Sequence, residues 1–498
     1  MKRILSMGLL SLVALCFTIH ASAADDYSKY YTNLPVQLQQ VSAPIIPATT
    51  VSIKDYGAVG DGVTLCTEAF NKAMSDLQKR GGGHLNVPAG VWLSGPIAFK
   101  DNIDLHLDRN AMILFSPDKS LYNKDSDGKV LDRCVPMINI SKRKNVSITG
   151  EGTIDGNGKY WRPVKHSKVS DAEWNEFKAM GGTITGNGQF WYPYQLNNGL
   201  PEIANSAEET EKLRADLVRI TDCENILIQG VTFQNSPRFH VHPIRCTNVI
   251  VDGITARCPW NAQNGDAIDL ACVRKAIIVN SIVDAGDDGL CMKGGVGKAG
   301  TDWGKTEDIL IQNCKVYHAH GGFVIGSEFS GGMNKIVVRD CTFSGTDTGL
   351  RFKSGVGRGG LSENIFINNI YMNNIKDQAI VFECTYEDKK MNQNDGHLNE
   401  ASAAVKKEIA PFTPDYQDIH ISNLVCNGAE SAIVIKGLAE LPVHDITIDN
   451  STISAINGID MINATNIKMN NVNIISAKTP SFKLNNVKGI ILNGKEIK

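Results

Sequence analysis

Along most of the chain, short runs of alternating apolar and polar residues recur in one frame. A polar residue, most often Asn, opens each run; Asn or Gly follows the alternation, and a second short apolar run closes it. Instances are N-V-S-I-T-G at Asn145, N-I-L-I-Q-G-V-T-F at Asn225, N-V-I-V-D-G-I-T-A at Asn248, D-I-L-I-Q-N-C-K-V at Asp308 and K-I-V-V-R-D-C-T-F at Lys335. The series continues with N-I-F-I-N-N-I-Y-M at Asn364, D-I-H-I-S-N-L-V-C at Asp418, D-I-T-I-D-N-S-T-I at Asp445 and N-I-K-M-N-N-V-N-I at Asn466. Most steps are about 21 to 32 residues, with wider gaps near 150–220 and 375–415. Period-two alternation predicts strands, so each unit reads as two short strands joined by a bend. One unit cannot bury its apolar face alone, whereas stacked units share a continuous core. A leucine-rich horseshoe would need its own Leu and Asn frame and a helical segment, which are missing. The pattern therefore predicts an all-β fold, a single-stranded right-handed parallel β-helix. Its recurrent Asn suit left-handed bends and can form hydrogen-bonded ladders along the stack.

The breaks in the pattern are informative too. Thr67 to Arg80 predicts an amphipathic helix, with Thr67 as N-cap, Ala69, Phe70, Ala73, Met74 and Leu77 on the apolar face and Gly81 as the stop. It is placed to cap the open first coil. Residues 160–216 and 386–416 interrupt the repeat and read as insertions, which on a solenoid project from one face, often the binding face. Inside the first, G-T-I-D-G-N-G-K-Y-W (152–161) is echoed by G-T-I-T-G-N-G-Q-F-W (182–191), a local duplication. Lys2 and Arg3, an apolar run from Ile4 to Ile19 and Ala21-Ser22-Ala23 predict a secretory signal over 1–23. Lipidation at Cys16 is disfavoured because Leu15 stands where a small residue is expected. The expected organisation is the signal, an N-terminal segment at 24–48, and the β-helix with its insertions over 49–498.

Composition narrows the function. A chain of 498 residues is too long for one compact core and fits a structure that grows along one axis. A net charge of -3 supplies no global field for nucleic acid, so an anionic ligand must be held by local cations. No later apolar run is long enough to span a bilayer, and the expected protein is exported, periplasmic or secreted, and monomeric. Twelve cysteines, eleven without Cys16, are scattered singly, which predicts core thiols with at most one or two bridges; no pair has zinc-site spacing.

Four stretches place charge beside glycine in neighbouring units: N-G-D-A-I-D (264–269), G-D-D-G (286–289), A-H-G-G (319–322) and R-F-K (351–353). Steps of 21, 33 and 31 residues from Asp266 to Asp287, His320 and Arg351 are each near one coil. Stacked at the ordinary strand separation of about 5 Å, three carboxylates, an imidazole and two cations gather on one flank. Adjacent Asp287 and Asp288 can both serve that flank only where the backbone bends, which the flanking glycines would permit. In R-F-K, Arg351 and Lys353 share one face as a two-pronged anion clamp, with Phe352 on the other. Singly, the Asp-Asp pair between glycines reads first as a solvated turn or a cation site, the His beside glycine as structural, and R-x-K as a solvated face with Phe352 inward. In register, clustered acids shift one another's pKa, so a protonated acid and an ionised base can coexist.

The constellation resembles the polygalacturonases of glycoside hydrolase family 28, whose marks run N-T-D, G-D-D, G-H-G and R-I-K in this order. N-S-P-R-F-H-V-H-P (235–243) and D-Y-G-A-V-G-D-G (55–62) add to a resemblance that covers roughly residues 50 to 495. It implies inverting hydrolysis of α-1,4-galacturonosidic bonds in a galacturonate-rich pectic chain, without metal or other cofactor. Asp287 would be the general acid, Asp266 and Asp288 would activate water, and His320 would tune the acid. Arg351 and Lys353 would grip a galacturonate carboxylate, with Asn264 and His242 beside the substrate. Gly265, Ala267, Ala319 and Phe352 depart from the family pattern without removing a reacting group. Retention of His320 and the R-x-K pair favours galacturonate over rhamnogalacturonan, and the insertions favour attack from a chain end. Other readings are a Ca²⁺-dependent pectate lyase, a pectin methylesterase, or a non-catalytic glycan-binding β-helix using Trp161, Trp191 and Trp260 as sugar platforms or merely packing them.

Overall fold

In the computed structural model, residues 26–124, 128–185, 188–193, 212–386, 412–479 and 481–497 are described. Residues 1–23 of the expected signal and most of the second insertion lie outside them. Short strands pair in parallel with the strand one coil away, and together they form one sheet of 34 strands, a right-handed parallel β-helix. Three columns of strands run along the axis. One contains Val241–Ile244, Ile268–Ala271, Leu290–Lys293, Gly321–Gly326 and Thr348–Lys353; each strand after the first pairs with the one before it.

The alternation read from the sequence sets which side chains enter the coil. Ile226, Val249, Ala276, Ile309, Ile336 and Ile365 occupy successive rungs of a second column and are all buried. Fully burying one such aliphatic side chain contributes about 1.5–3 kcal/mol. All nine residues that open the repeats quoted above have positive φ, between 50° and 62°. Asn145 Nδ2 donates to Asn102 Oδ1, Asn225 to Asn145 and Asn248 to Asn225, at 2.8–2.9 Å, so the expected ladder forms. A further coil at Arg274–Val279, absent from the series quoted above, opens on Lys275 (φ 61°), which takes the same left-handed bend as Lys335 and the Asn and Asp residues that open the other units.

The capping helix α1 (Thr67–Lys79) buries the five predicted residues against the first coils. Its start differs: Cys66 is the N-cap without a side-chain bond, because the Thr67 hydroxyl is already used to accept from Gly95 N at 2.5 Å. Gly81 (φ 90°) follows the C-cap as the stop. The first insertion carries its own small fold. A three-stranded antiparallel sheet orders Val164–Lys165, Phe190–Tyr192 and Thr183–Thr185, beside helix α2 (Asp171–Ala179). Ser170 and Glu173 form a capping box at the start of α2, and Val164, Trp174 and Trp191 make a local core. The duplicated segments therefore differ in setting. Thr153–Asp155 is a parallel rung of the coil, whereas Thr183–Thr185 pairs antiparallel in the insertion.

The N-terminal segment lies along the outside of the second column. Tyr27, Leu38 and Val41 cover the outward ladder of Ile250, Ile277, Leu310 and Val337. Ser42 and Asn248 exchange two hydrogen bonds, and Arg339 donates to the carbonyls of Tyr30 and Thr32. All eleven described cysteines are free thiols, and only Cys258 is not fully buried.

Candidate active site

Asp287 and Asp288 occupy the bend between strands Ile282–Asp284 and Leu290–Lys293. The flanking glycines act differently from expectation, since neither Gly286 nor Gly289 has left-handed φ. A Cβ on Gly286 would lie 2.6 Å from Ala262 O and 2.7 Å from Pro259 O; one on Gly289 would lie 2.9 Å from Gly321 O. They are needed for close approach of adjacent coils. The coil below supplies Asp266, held in place as Ala267 N and Ile268 N donate to Asp288 O and Gly289 O. The coil above supplies His320, whose N donates to Asp287 O.

The two neighbouring carboxylates have separate partners. Asp287 Oδ1 lies 3.0 Å from His320 Nδ1, and Asp287 Oδ2 accepts from Asn264 N at 3.1 Å. Asp288 accepts from Lys353 Nζ at 2.7 and 3.1 Å, with Arg351 Nη1 at 3.6 Å. Phe352 points inward and stacks on Phe382, centroids 4.3 Å apart, which leaves Arg351 and Lys353 on the outer face. One expected register is shifted. Asp347 N and Thr348 N bond Ala319 O and His320 O, while Arg351 pairs with Val324, so Arg351 lies further along its strand and reaches back to His320 O at 3.4 Å.

Of the other expected residues, Asn264 adopts positive φ and its Oδ1 accepts from Arg214 Nη2 at 2.8 Å, which fixes the amide beside Asp287. His242 is buried three coils below His320's coil with its Nδ1 3.1 Å from Asp216 Oδ2, on the strand next to Asp269. Trp161 and Trp191 are 0% and 4% exposed, so they pack and offer no sugar platform; Trp260 is 50% exposed.

The site also holds groups that the sequence reading passed over. Lys293, its side chain 13% exposed, has its Nζ 3.8, 3.7 and 3.8 Å from carboxylate oxygens of Asp266, Asp269 and Glu328. Asp269 is fully buried, and neither of its oxygens has a hydrogen-bond partner among the described residues. Asp269 closes the first charged stretch quoted above, whereas Lys293 stands four residues beyond G-D-D-G, and period two places it with Cys291 on one face of their strand. Lys168, whose Nζ donates to Gly286 O at 3.0 Å, comes from the insertion and carries no sequence signal.

These placements split the acids. Burial, with Asp269 and Asp287 nearby, raises the Asp266 carboxyl well above its ordinary value despite Lys293. Burial also raises Asp269, with Lys293 opposing. At Asp287 burial acts upward, but the His320 bond and the charges of His320, Lys353 and Lys168 outweigh it and lower the carboxyl. At Asp288 burial is likewise outweighed, chiefly by Lys353. The shifts therefore run in opposite directions, toward the protonated form at Asp266 and toward the ionised form at Asp287 and Asp288. Atoms of Asp287, Asp288 and His320 that could bind a metal lie within 4.8 Å of one another. Lys353 already supplies the cation to Asp288, which a metal would have to displace.

The family model of glycosyl hydrolases family 28 matches residues 164–409, which span the insertion and every strand of this site. Over these residues the chain matches the family, which supports its assignment as a polygalacturonase-like hydrolase. Among its relatives, a probable polygalacturonase of Vitis vinifera is 29% identical over 429 residues, covering 83% of this chain and 76% of the relative. An exo-poly-alpha-D-galacturonosidase of Dickeya chrysanthemi is 25% identical over 468 residues, 90% of this chain and 75% of the relative. The crystal structure of a hyperthermoactive exopolygalacturonase from Thermotoga maritima matches with a TM-score of 0.69 at 29% identity, covering 88% of this chain and 94% of that one. The family match and the names of these relatives indicate a glycoside hydrolase.

Proposed function

We propose that the protein hydrolyses α-1,4-galacturonosidic bonds in polygalacturonate and pectin fragments, with inversion and from a chain end. The observation that carries this reading is the pairing of a carboxylate on His320 with a second one on the Lys353–Arg351 clamp, within the residues that match family 28. The names of the exo-acting relatives support end-wise attack. A galacturonate carboxylate would compete with Asp288 for Arg351 and Lys353 through charge-assisted hydrogen bonds. Added negative charge there offsets the cationic field that holds Asp287 low, so a proton held on the Asp266 side moves to Asp287. Asp287 then protonates the glycosidic oxygen as the C1–O bond breaks. Water attacks the opposite face and passes its proton to Asp266 or Asp288, which regenerates the starting charge. No step requires a metal.

The signal expected from the sequence over 1–23 supports export to the periplasm or the medium, and the proposal takes the enzyme to act as a monomer. The test is the product of purified protein on polygalacturonate. Reducing sugar should appear without unsaturated, UV-absorbing product and regardless of chelator, and NMR should show the first-formed anomer inverted. Monomer alone marks exo action, whereas a ladder of oligomers overturns that part. Unsaturated product would turn the reading to a lyase, and methanol without chain shortening to an esterase.

A further inference from the structure

Lys168 stands at the end of the single turn His166–Lys168, which the insertion extends toward the carboxylates. Its Nζ donates to Gly286 O at 3.0 Å, immediately before Asp287, and two of its three N–H groups have no acceptor among the described residues. Burial lowers its pKa, with Asp287 and Asp347 opposing, as for an ammonium partly stripped of water next to anions. Arg351 and Lys353 lie elsewhere along the strand direction, in register with Val324 and Gly326, whose column runs through Cys291 beyond the acids. Asp287 and Asp288 are therefore flanked by cations on two sides. In an axially linked 1,4 chain, successive residues are turned relative to one another, and their carboxylates project to different sides. A single clamp cannot meet both carboxylates next to the cut bond; two flanking cations can.

We propose that Lys168 binds the carboxylate of the galacturonate across the cut bond from the one held by Arg351 and Lys353, so that the site selects for free acid on both sides of that bond. This inference rests on the polygalacturonase reading. The test uses the shortest oligogalacturonide that the intact enzyme cuts at one bond, together with two versions methyl-esterified at the residue on one or the other side of that bond. Wild-type enzyme should be slowed by either ester. Lys168→Gln should lower kcat/KM on the free acid by roughly 10- to 100-fold, the span of one charged hydrogen bond. It should lose its sensitivity to the ester on the Lys168 side and keep its sensitivity to the other, and Lys168→Arg should restore much of both. Wild-type ratios in Lys168→Gln overturn the proposal. So does a uniform fall on all three substrates with a lowered melting temperature, which assigns Lys168 to docking the insertion. Failure of the wild-type enzyme to shorten polygalacturonate strikes the functional reading instead.

Discussion

Asp287 and Asp288 are chemically identical neighbours that the structure treats differently. One is bonded to His320 and the Asn264 amide, the other to Lys353. Removing the carboxylate at the proposed proton donor should be severe, and Asp287→Asn is expected to lower kcat by about 10² to 10⁴, measured on polygalacturonate at saturating substrate. Asp266 gives a separate prediction about stability. Its folded pKa is raised, so the unfolded chain ionises first and stability falls as pH rises from the unfolded carboxylate value of about 3.9 to the raised folded value. Asp266→Asn should abolish this loss. The variant is expected to melt higher than the wild type at neutral pH, to match it more closely in acid, and to be nearly inactive. A melting temperature below that of the wild type at neutral pH would contradict the assignment.

At the scale of elements, the coils depend on bends as much as on their apolar rungs. Asn225 (φ 60°) takes the left-handed bend and links the amides of Asn145 and Asn248. Left-handed backbone costs roughly 1–2 kcal/mol for a residue with an ordinary Cβ, and each lost hydrogen bond about 1 kcal/mol. Asn225→Ala should thus lose about 3–4 kcal/mol in denaturant titration, and Asn225→Gly should recover the backbone share. Equal losses in both would place the whole effect in the ladder. The helix α1 teaches a related lesson about local rules. Thr67 has the residue type of an N-cap, yet tertiary contact with Gly95 takes its hydroxyl and moves the cap to Cys66.

For the whole molecule, the N-terminal segment is a strap across several coils. Tyr27, Leu38 and Val41 each bury enough to contribute about 1.5–3 kcal/mol before the cost of ordering the chain. Protein lacking residues 1–42 should melt at a lower temperature and bind a hydrophobic dye at the uncovered ladder, read by fluorescence. An unchanged melting temperature would mean that the strap adds nothing to the coil.

The sequence by itself determined the coil, because strand alternation and αL-tolerant Asn are local properties that repeat at every turn. It marked the line of Asp266, Asp287, Asp288, His320, Arg351 and Lys353 for the same reason: stacking converts a step of one coil into proximity. Tertiary structure decided what depends on fit between coils or on non-repeating chain. Gly286 and Gly289 proved to be spacers for neighbouring coils, which no single-strand rule reveals. Lys293 and Asp269 acquired their meaning only when burial set an ammonium among carboxylates, since charge in a strand reads as solvated until its depth is known. Lys168 and the buried Trp161 and Trp191 were decided last of all, because an insertion has no period and its contacts follow from three-dimensional packing alone.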